Sequence, residues 1–235
     1  MPYKLEVVTK PEDFGEIIPM LYAAFEEPYN PLLKWFMPIT TTVEAMIEDN
    51  TTNTVKHWDE SGHLHWLKVT DTETGKIVGA AQWDIRAEID NSTEKLKPIE
   101  ATSFPEGSEE RVFAGKLFTS LKGFMKERMT RPHAELEQLV VAKDHRRKGI
   151  AALLVDWGKR KADEIGIESC VGSIPFAVPA YERLGYGKVD CLYPDLPVQS
   201  PSAAYSKFAA EDLHVFLMWR PVGRDWSAED KVPWQ

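Results

Sequence analysis

Residues 136–160 read LEQLVVAKDHRRKGIAALLVDWGKR, and this stretch decides the fold. Leu136 to Val141 is the most strand-like run of the chain, and Lys143 to Lys148 follows it as a charged turn. From Gly149 onward, Ile150, Leu153, Leu154, Trp157 and Ile165 trace one face of a helix that ends at Gly166. A strand, a basic turn closed by glycine and an amphipathic helix together make a device for holding anions. The first helical turn has unpaired N–H groups, and the helix dipole places about half a positive charge there. Arg146, Arg147 and Lys148 add charge, while Ala151 and Ala152 leave the backbone uncovered, so a diphosphate can approach closely. The plainer alternative is a basic helix start on the surface. Two other phosphate-binding patterns, Gly-x-x-x-x-Gly-Lys-Ser/Thr and Gly-x-Gly-x-x-Gly, do not occur.

Working outward, residues 3–9 suggest a first strand, and residues 11–25 an amphipathic helix with Pro11 in its first turn and Ile17, Ile18, Leu21, Ala24 and Phe25 at helical spacing. Pro28 and Pro31 end that helix, and weaker helical patterns cover 32–36 and 41–58. Strands at 64–70 and 77–85 are joined through 71–75, a hairpin in which Gly75 supplies a positive φ. Residues 88–110 are polar, carry Pro98, Pro105 and Gly107, and read as a surface excursion before a helix over 108–129. After the decisive stretch come a strand at 168–174, a short helix at 178–184 broken by Gly185, and a strand at 186–193. An irregular Pro- and Ser-rich segment occupies about 194–212, and a last strand runs over 214–220. The expected class is α/β (α+β), a mixed sheet flanked by helices. It forms one domain over 1–235, with an insertion at about 88–131.

Composition narrows the partners. The chain has 235 residues, 43% of them hydrophobic and 28% charged, with ten Phe, seven Tyr and eight Trp available to a core, so wholesale disorder is excluded. The net charge of −9 is opposite to what a nucleic-acid backbone would select, and it suits a cationic or neutral partner. Cys170 and Cys191 make neither a disulfide framework nor a four-Cys zinc site, and nothing near them has metal-ligand spacing, so no metal is expected. No apolar run approaches the roughly 18 residues of a membrane helix. Lys4, Glu6, Lys10, Glu12 and Asp13 leave no apolar signal core at the start. The expectation is a cytoplasmic protein, with the nucleus as the other compartment, and a monomer or homodimer.

Arg146-Arg-Lys-Gly149-Ile-Ala151 has the form Gln/Arg-x-x-Gly-x-Gly/Ala, and it resembles the acetyl-CoA loop of the GCN5-related N-acetyltransferase (GNAT) superfamily. Leu136-Glu-Gln-Leu-Val-Val141 precedes it as that family's fourth strand does. Ala180-Tyr-Glu-Arg-Leu-Gly-Tyr186 follows like the family's second cofactor segment. The sequence departs from the family pattern at Lys143, where proline is common, at Arg147, where glycine is common, and at Ala180, where a larger residue often stands.

The resemblance implies a mostly antiparallel central sheet and transfer of an acetyl group from acetyl-CoA to a primary amine of a small molecule, by direct attack in a ternary complex. A protein acceptor and a non-catalytic acyl-CoA-binding module are the alternatives. It also implies roles. Arg146, Arg147, Lys148, Gly149, Ile150 and Ala151 would hold the diphosphate, and Leu139, Val140 and Val141 would offer backbone groups to the pantetheine arm. Ser173 would bind that arm or cap the next turn. Glu137 would be the general base, on the face opposite Leu136 and Gln138, with Glu135 in reserve on the same face. Tyr181 would protonate the leaving thiolate. His133 and His145 are expected at the surface. Trp35, Trp58, Trp66 and Trp83 are expected in the core, with Trp35 and Phe36 as the residues that the resemblance would place at the acceptor pocket.

Overall fold

A computed structural model describes residues 2–25, 28–89, 96–194 and 196–234. Its strands are β1 (Tyr3–Val7), β2 (Leu64–Asp71), β3 (Ile77–Arg86), β4 (His133–Val141), β5 (Glu168–Ser173), β6 (Gly187–Leu192) and β7 (Val215–Arg220). They form one seven-stranded sheet in the order β1-β2-β3-β4-β5-β7-β6. Every neighbouring pair is antiparallel except β4–β5, which is parallel. The helices are α1 (Phe14–Phe25), α2 (Leu33–Phe36), α3 (Val43–Glu60), α4 (Glu109–Arg128), α5 (Ile150–Ile165), α6 (Val178–Arg183) and α7 (Ala203–Ala209). Among the described residues, no helix is long and apolar enough to cross a membrane.

Local chemistry sets several boundaries. Thr42 and Ser108 cap α3 and α4, their hydroxyls accepting from the N–H groups of Ala45 at 3.2 Å and Arg111 at 3.1 Å. Gly166, at φ 71°, ends α5, and the next N–H, of Ile167, turns back to the Ala162 carbonyl at 2.9 Å. The β2–β3 turn has Gly75 at φ 72°, as its sequence predicts.

Helices cover both faces. On one side α5 and α6 bury Leu154, Val155 and Tyr181 against Leu67, Val69, Trp83 and Leu136 of the sheet. On the other, α1 and α3 lay Phe14, Ile17, Leu21 and Met46 over Trp66 and Ala80. Next to them α4 and α7 contribute Phe113, Leu117 and Tyr205 to a cluster with Trp35 and Val215. Two glycines let α5 lie close to β3. A Cβ on Gly158 would come within 2.1 Å of the Trp83 ring, and one on Gly79 within 2.5 Å of Ile150.

Two sequence expectations need correction. The stretch 88–110 is not wholly a surface excursion, because Ala101 and Phe104 are buried beside Trp35 and Phe113; its residues 90–95 lie outside the described residues. The segment 194–212 is not irregular throughout. Ser202 accepts from the Tyr205 N–H at 3.0 Å and starts α7, and the buried Tyr205 hydroxyl donates to the Leu196 carbonyl at 2.9 Å. A single capping serine and one buried tyrosine outweigh the Pro and Ser content there.

Candidate active site

The sheet opens at one place. β4 pairs with β5 only over His133–Leu136, opposite Glu168–Val171, although β4 continues to Val141 and β5 to Ser173. On its other edge β4 stays paired with β3 as far as Val141. The β5-facing backbone of 138–141 therefore lacks a strand neighbour, and it is an edge that an extended ligand can pair with.

The opening begins at a bulge. Gln82 lies opposite Gln138 and Trp83 opposite Leu136, so Glu137 is an extra residue in β4 with no β3 partner. Ala134 and Leu136 before it, and Leu139 and Val141 after it, all turn to the α5 side, whereas Val140 turns to α1. This corrects the simple alternation that placed Glu137 opposite both Leu136 and Gln138.

A cavity of about 1760 Å³ occupies the opening. Glu137, Tyr181 and Ser173 line it, as do Leu139, Val140, Val141, Arg146, Arg147, Gly149, Ile150 and Ala151; Lys148 does not. The turn that closes onto α5 uses two left-handed residues, Arg147 at φ 61° and Gly149 at φ 84°. A side chain in that region is strained by roughly 1–2 kcal/mol, so Arg147 holds a conformation that glycine would adopt more easily. Around Gly149 an added Cβ would meet nothing within 4 Å, leaving the first turn of α5 open to an anion. Arg146 is engaged structurally. Its Nη2 donates to the Ala24 carbonyl at 3.0 Å and its Nε to the Val141 carbonyl at 3.4 Å, tying the end of α1 to the end of β4 while its charge stays beside the loop.

The Glu137 side chain is exposed to the cavity. Desolvation by the surrounding cavity walls, reinforced by the negative charges of Glu135 and Asp84, pushes its carboxyl up to about 7. Burial also raises Glu135 to about 7, against the pull of the Arg86 guanidinium. Tyr181 on α6 is buried, and that burial pushes its phenol above the ordinary tyrosine range, so it stays protonated. The Ser173 hydroxyl donates to the Ile174 carbonyl at 2.9 Å.

His133 is buried at 4% exposure and lines the cavity, contrary to its expected surface place; burial lowers its affinity for a proton. His145 is half-buried, with Nδ1 3.1 Å from the Tyr3 hydroxyl. Phe36 reaches the cavity and stacks on Phe118 at 5.0 Å, but Trp35 is held in the aromatic core with Phe104, Phe113 and Phe208. The opposite wall of Phe118, Leu121 and Met125 on α4 was not singled out from sequence. Its signal is a second apolar stripe at helical spacing, beside the Phe113, Leu117 and Phe124 stripe that faces the core.

Residues 94–192 match a family model described as an acetyltransferase (GNAT) domain. No curated protein matches the chain. Arylalkylamine N-acetyltransferase 2 from Aedes aegypti superposes with a TM-score of 0.61 at 16% identity, over 95% of this chain and 100% of that one. An agmatine N-acetyltransferase mutant gives 0.60 at 14% identity, covering 93% and 99%. A Corynebacterium glutamicum protein described as histone acetyltransferase HPA2 and related acetyltransferase gives 0.55 at 16%, covering 97% and 99%. At such identities the likeness establishes a shared fold. The match to an acetyltransferase (GNAT) domain thus spans β4, the loop, α5 and α6, and the fold around them is shared with these acetyltransferases.

Proposed function

We propose that the protein transfers an acetyl group from acetyl-CoA to the primary amine of a small molecule, by direct attack within a ternary complex. The observation that carries this reading is the opening between β4 and β5, where one cavity joins an unpaired strand edge, a bare helix N-terminus and the bulged Glu137. The residues suit the cofactor: the edge of Leu139–Val141 suits the amides of a pantetheine arm, and the loop from Arg146 to Ala151 suits a diphosphate. Acetyl-CoA supplies the activated acyl group. The chain's own residues handle position and protons.

An alkylamine with a pKa of about 10.4 is neutral in only about one part in 10³ at pH 7, a cost of roughly 4–5 kcal/mol. Glu137 takes the proton that the amine nitrogen gives up as its bond to the acyl carbon forms, directly or through a water. An N–H of the free β4 edge, beside Val140, would face the carbonyl oxygen of the thioester and stabilise the charge that builds there. Tyr181 gives its proton to the sulfur as the carbon–sulfur bond breaks, and then recovers one from solvent. The acceptor end is walled by Leu33, Phe36, Phe118, Leu121 and Met125, which favours an amine on a compact apolar body over an extended polar peptide.

The test is thiol release from acetyl-CoA against a panel of primary amines that includes apolar arylalkyl and polar peptide acceptors. Glu137→Gln is expected to lower kcat by about 10²- to 10⁴-fold while acetyl-CoA still binds, and Tyr181→Phe to lower kcat as well. Tight cofactor binding with no turnover of any amine would reduce the protein to a binding module. Turnover of peptides alone would overturn the small-molecule assignment.

A further inference from the structure

The sheet face covered by α4 brings together polar side chains that are distant in sequence. Asp84 on β3 lies opposite Glu135 on β4, and Glu135 lies opposite Cys170 on β5. One step along the strands, Arg86 aligns with His133 and His133 with Glu168. The α5 face takes the intervening Ala134, Leu136 and Val171, so all six polar residues fall on the other side. Cys170 is fully buried there, among Phe124, Met129 and Leu217.

Within this row a sulfur of Cys170, a ring nitrogen of His133 and a carboxylate oxygen of Glu135 all lie within 4.8 Å of one another. His133 Nδ1 is 2.7 Å from the Arg131 carbonyl oxygen, which makes it the N–H donor and leaves the lone pair on Nε2. That is the hydrogen bond that orients a metal-binding imidazole. Asp84 and Glu168 are each paired through one oxygen, with Arg86 and Arg131, while Asp84 Oδ1 and Glu168 Oε1 are buried without a hydrogen-bond partner. Buried carboxylate oxygens of this kind are stabilised by a nearby cation.

We infer that His133, Glu135 and Cys170 form a zinc site whose fourth position faces the cavity. Zinc holds sulfur at about 2.3 Å and nitrogen or oxygen at about 2.0–2.2 Å, so its donors stand roughly 3.3–3.8 Å apart. Side-chain adjustments of about 1 Å bring this trio to that spacing. A mixed sulfur, nitrogen and oxygen set selects zinc over magnesium or calcium, which require oxygen ligands. His133 and Glu135 both line the cavity, and this provides the access path. On binding, the Cys170 thiol releases its proton to solvent as the sulfur–zinc bond forms, and no electron is exchanged. The ion occupies the end of the cavity that the proposed reaction assigns to the amine. If that reading holds, zinc raises the KM for the amine without changing the affinity for acetyl-CoA.

The test is made on the reduced, metal-stripped full chain with Co²⁺ as the spectroscopic stand-in, and with neither acetyl-CoA nor amine present. Its outcome is therefore independent of whether the protein acetylates anything. One equivalent of Co²⁺ is expected to produce a near-ultraviolet thiolate charge-transfer band together with strong visible absorption, and Zn²⁺ to bleach both. Cys170→Ser should abolish the charge-transfer band, and His133→Gln should weaken Co²⁺ binding at least roughly tenfold. Circular dichroism establishes that each variant is folded, and if one is not, the other decides. Absence of the band in the wild-type protein, or its persistence in folded Cys170→Ser, overturns the site; persistence would assign the thiolate to Cys191.

Discussion

On the β4–α5 side of the cavity the working groups are backbone: the unpaired edge of Leu139–Val141 and the first turn of α5 behind Gly149. On the α1–α2–α4 side they are side chains, among them Phe36 stacked on Phe118 and the neighbouring Leu121 and Met125. The backbone wall depends on glycines and left-handed turns at fixed positions, and these leave a mark in any sequence that forms them. The side-chain wall can be built from many apolar residues, so in the proposed reaction one side would fix the donor while the other is free to set the acceptor.

Substitutions can break this contrast or sharpen it. After the loss of turnover expected of Glu137→Gln, the next largest effect falls on the scaffold of the backbone wall. Gly158→Ala drives a methyl into the Trp83 ring, which is held by its Nε1 bond to the Leu154 carbonyl at 3.2 Å. A loss of about 1–3 kcal/mol is expected in urea unfolding. Gly149→Ala adds a methyl in a left-handed position, at the turn proposed to hold the diphosphate. Calorimetry should show acetyl-CoA affinity reduced about tenfold with the amine KM unchanged, since the strain is of order 1 kcal/mol; an unchanged affinity would remove the loop from the donor side.

Phe118→Ala reverses the pattern. Losing an aromatic pair of about 0.5–1.5 kcal/mol, it should raise the KM of an apolar amine severalfold and leave acetyl-CoA binding alone. If both constants move together, the two walls are not separable. The smallest effect concerns acid stability. Arg220 holds Asp163 below the ordinary aspartate range through bonds of 2.8 and 2.9 Å, helped by the Gly223 N–H at 2.9 Å. A carboxyl lowered in the native state contributes stability above its unfolded pKa, and this is lost as the pH falls through the native value. Melting temperature between about pH 5 and pH 2 should therefore fall less steeply in Asp163→Asn than in the parent.

Legibility in the sequence followed the same division. The strand, loop and helix of 136–165 are readable because period-two and helical patterns meet at a glycine, and Tyr181 is readable from the Tyr-Glu-Arg-Leu-Gly run that holds it. The bulge at Glu137 is not readable, because it is a relation to Gln82 and Trp83 on another strand. Nor is the meeting of His133, Glu135 and Cys170, which needs the parallel register of β4 with β5; spacing along the chain gives no hint of it. Helix α7 was hidden by its Pro- and Ser-rich surroundings, although Ser202 three residues before Tyr205 is its start signal. Arg146 was read as a phosphate contact, and its bonds to the Ala24 and Val141 carbonyls could not be anticipated without knowing where α1 ends.

The odd residue in β4 also separates chemistry from packing. Deleting Glu137 would leave a strand that alternates without a break: Ala134, Leu136, Leu139 and Val141 would still face α5, and Val140 would still face α1. What the deletion removes is the bulge, and with it the local bend that sets a carboxylate at the start of the opening. The core on both faces of the sheet can be kept while this place in the strand is gained or lost.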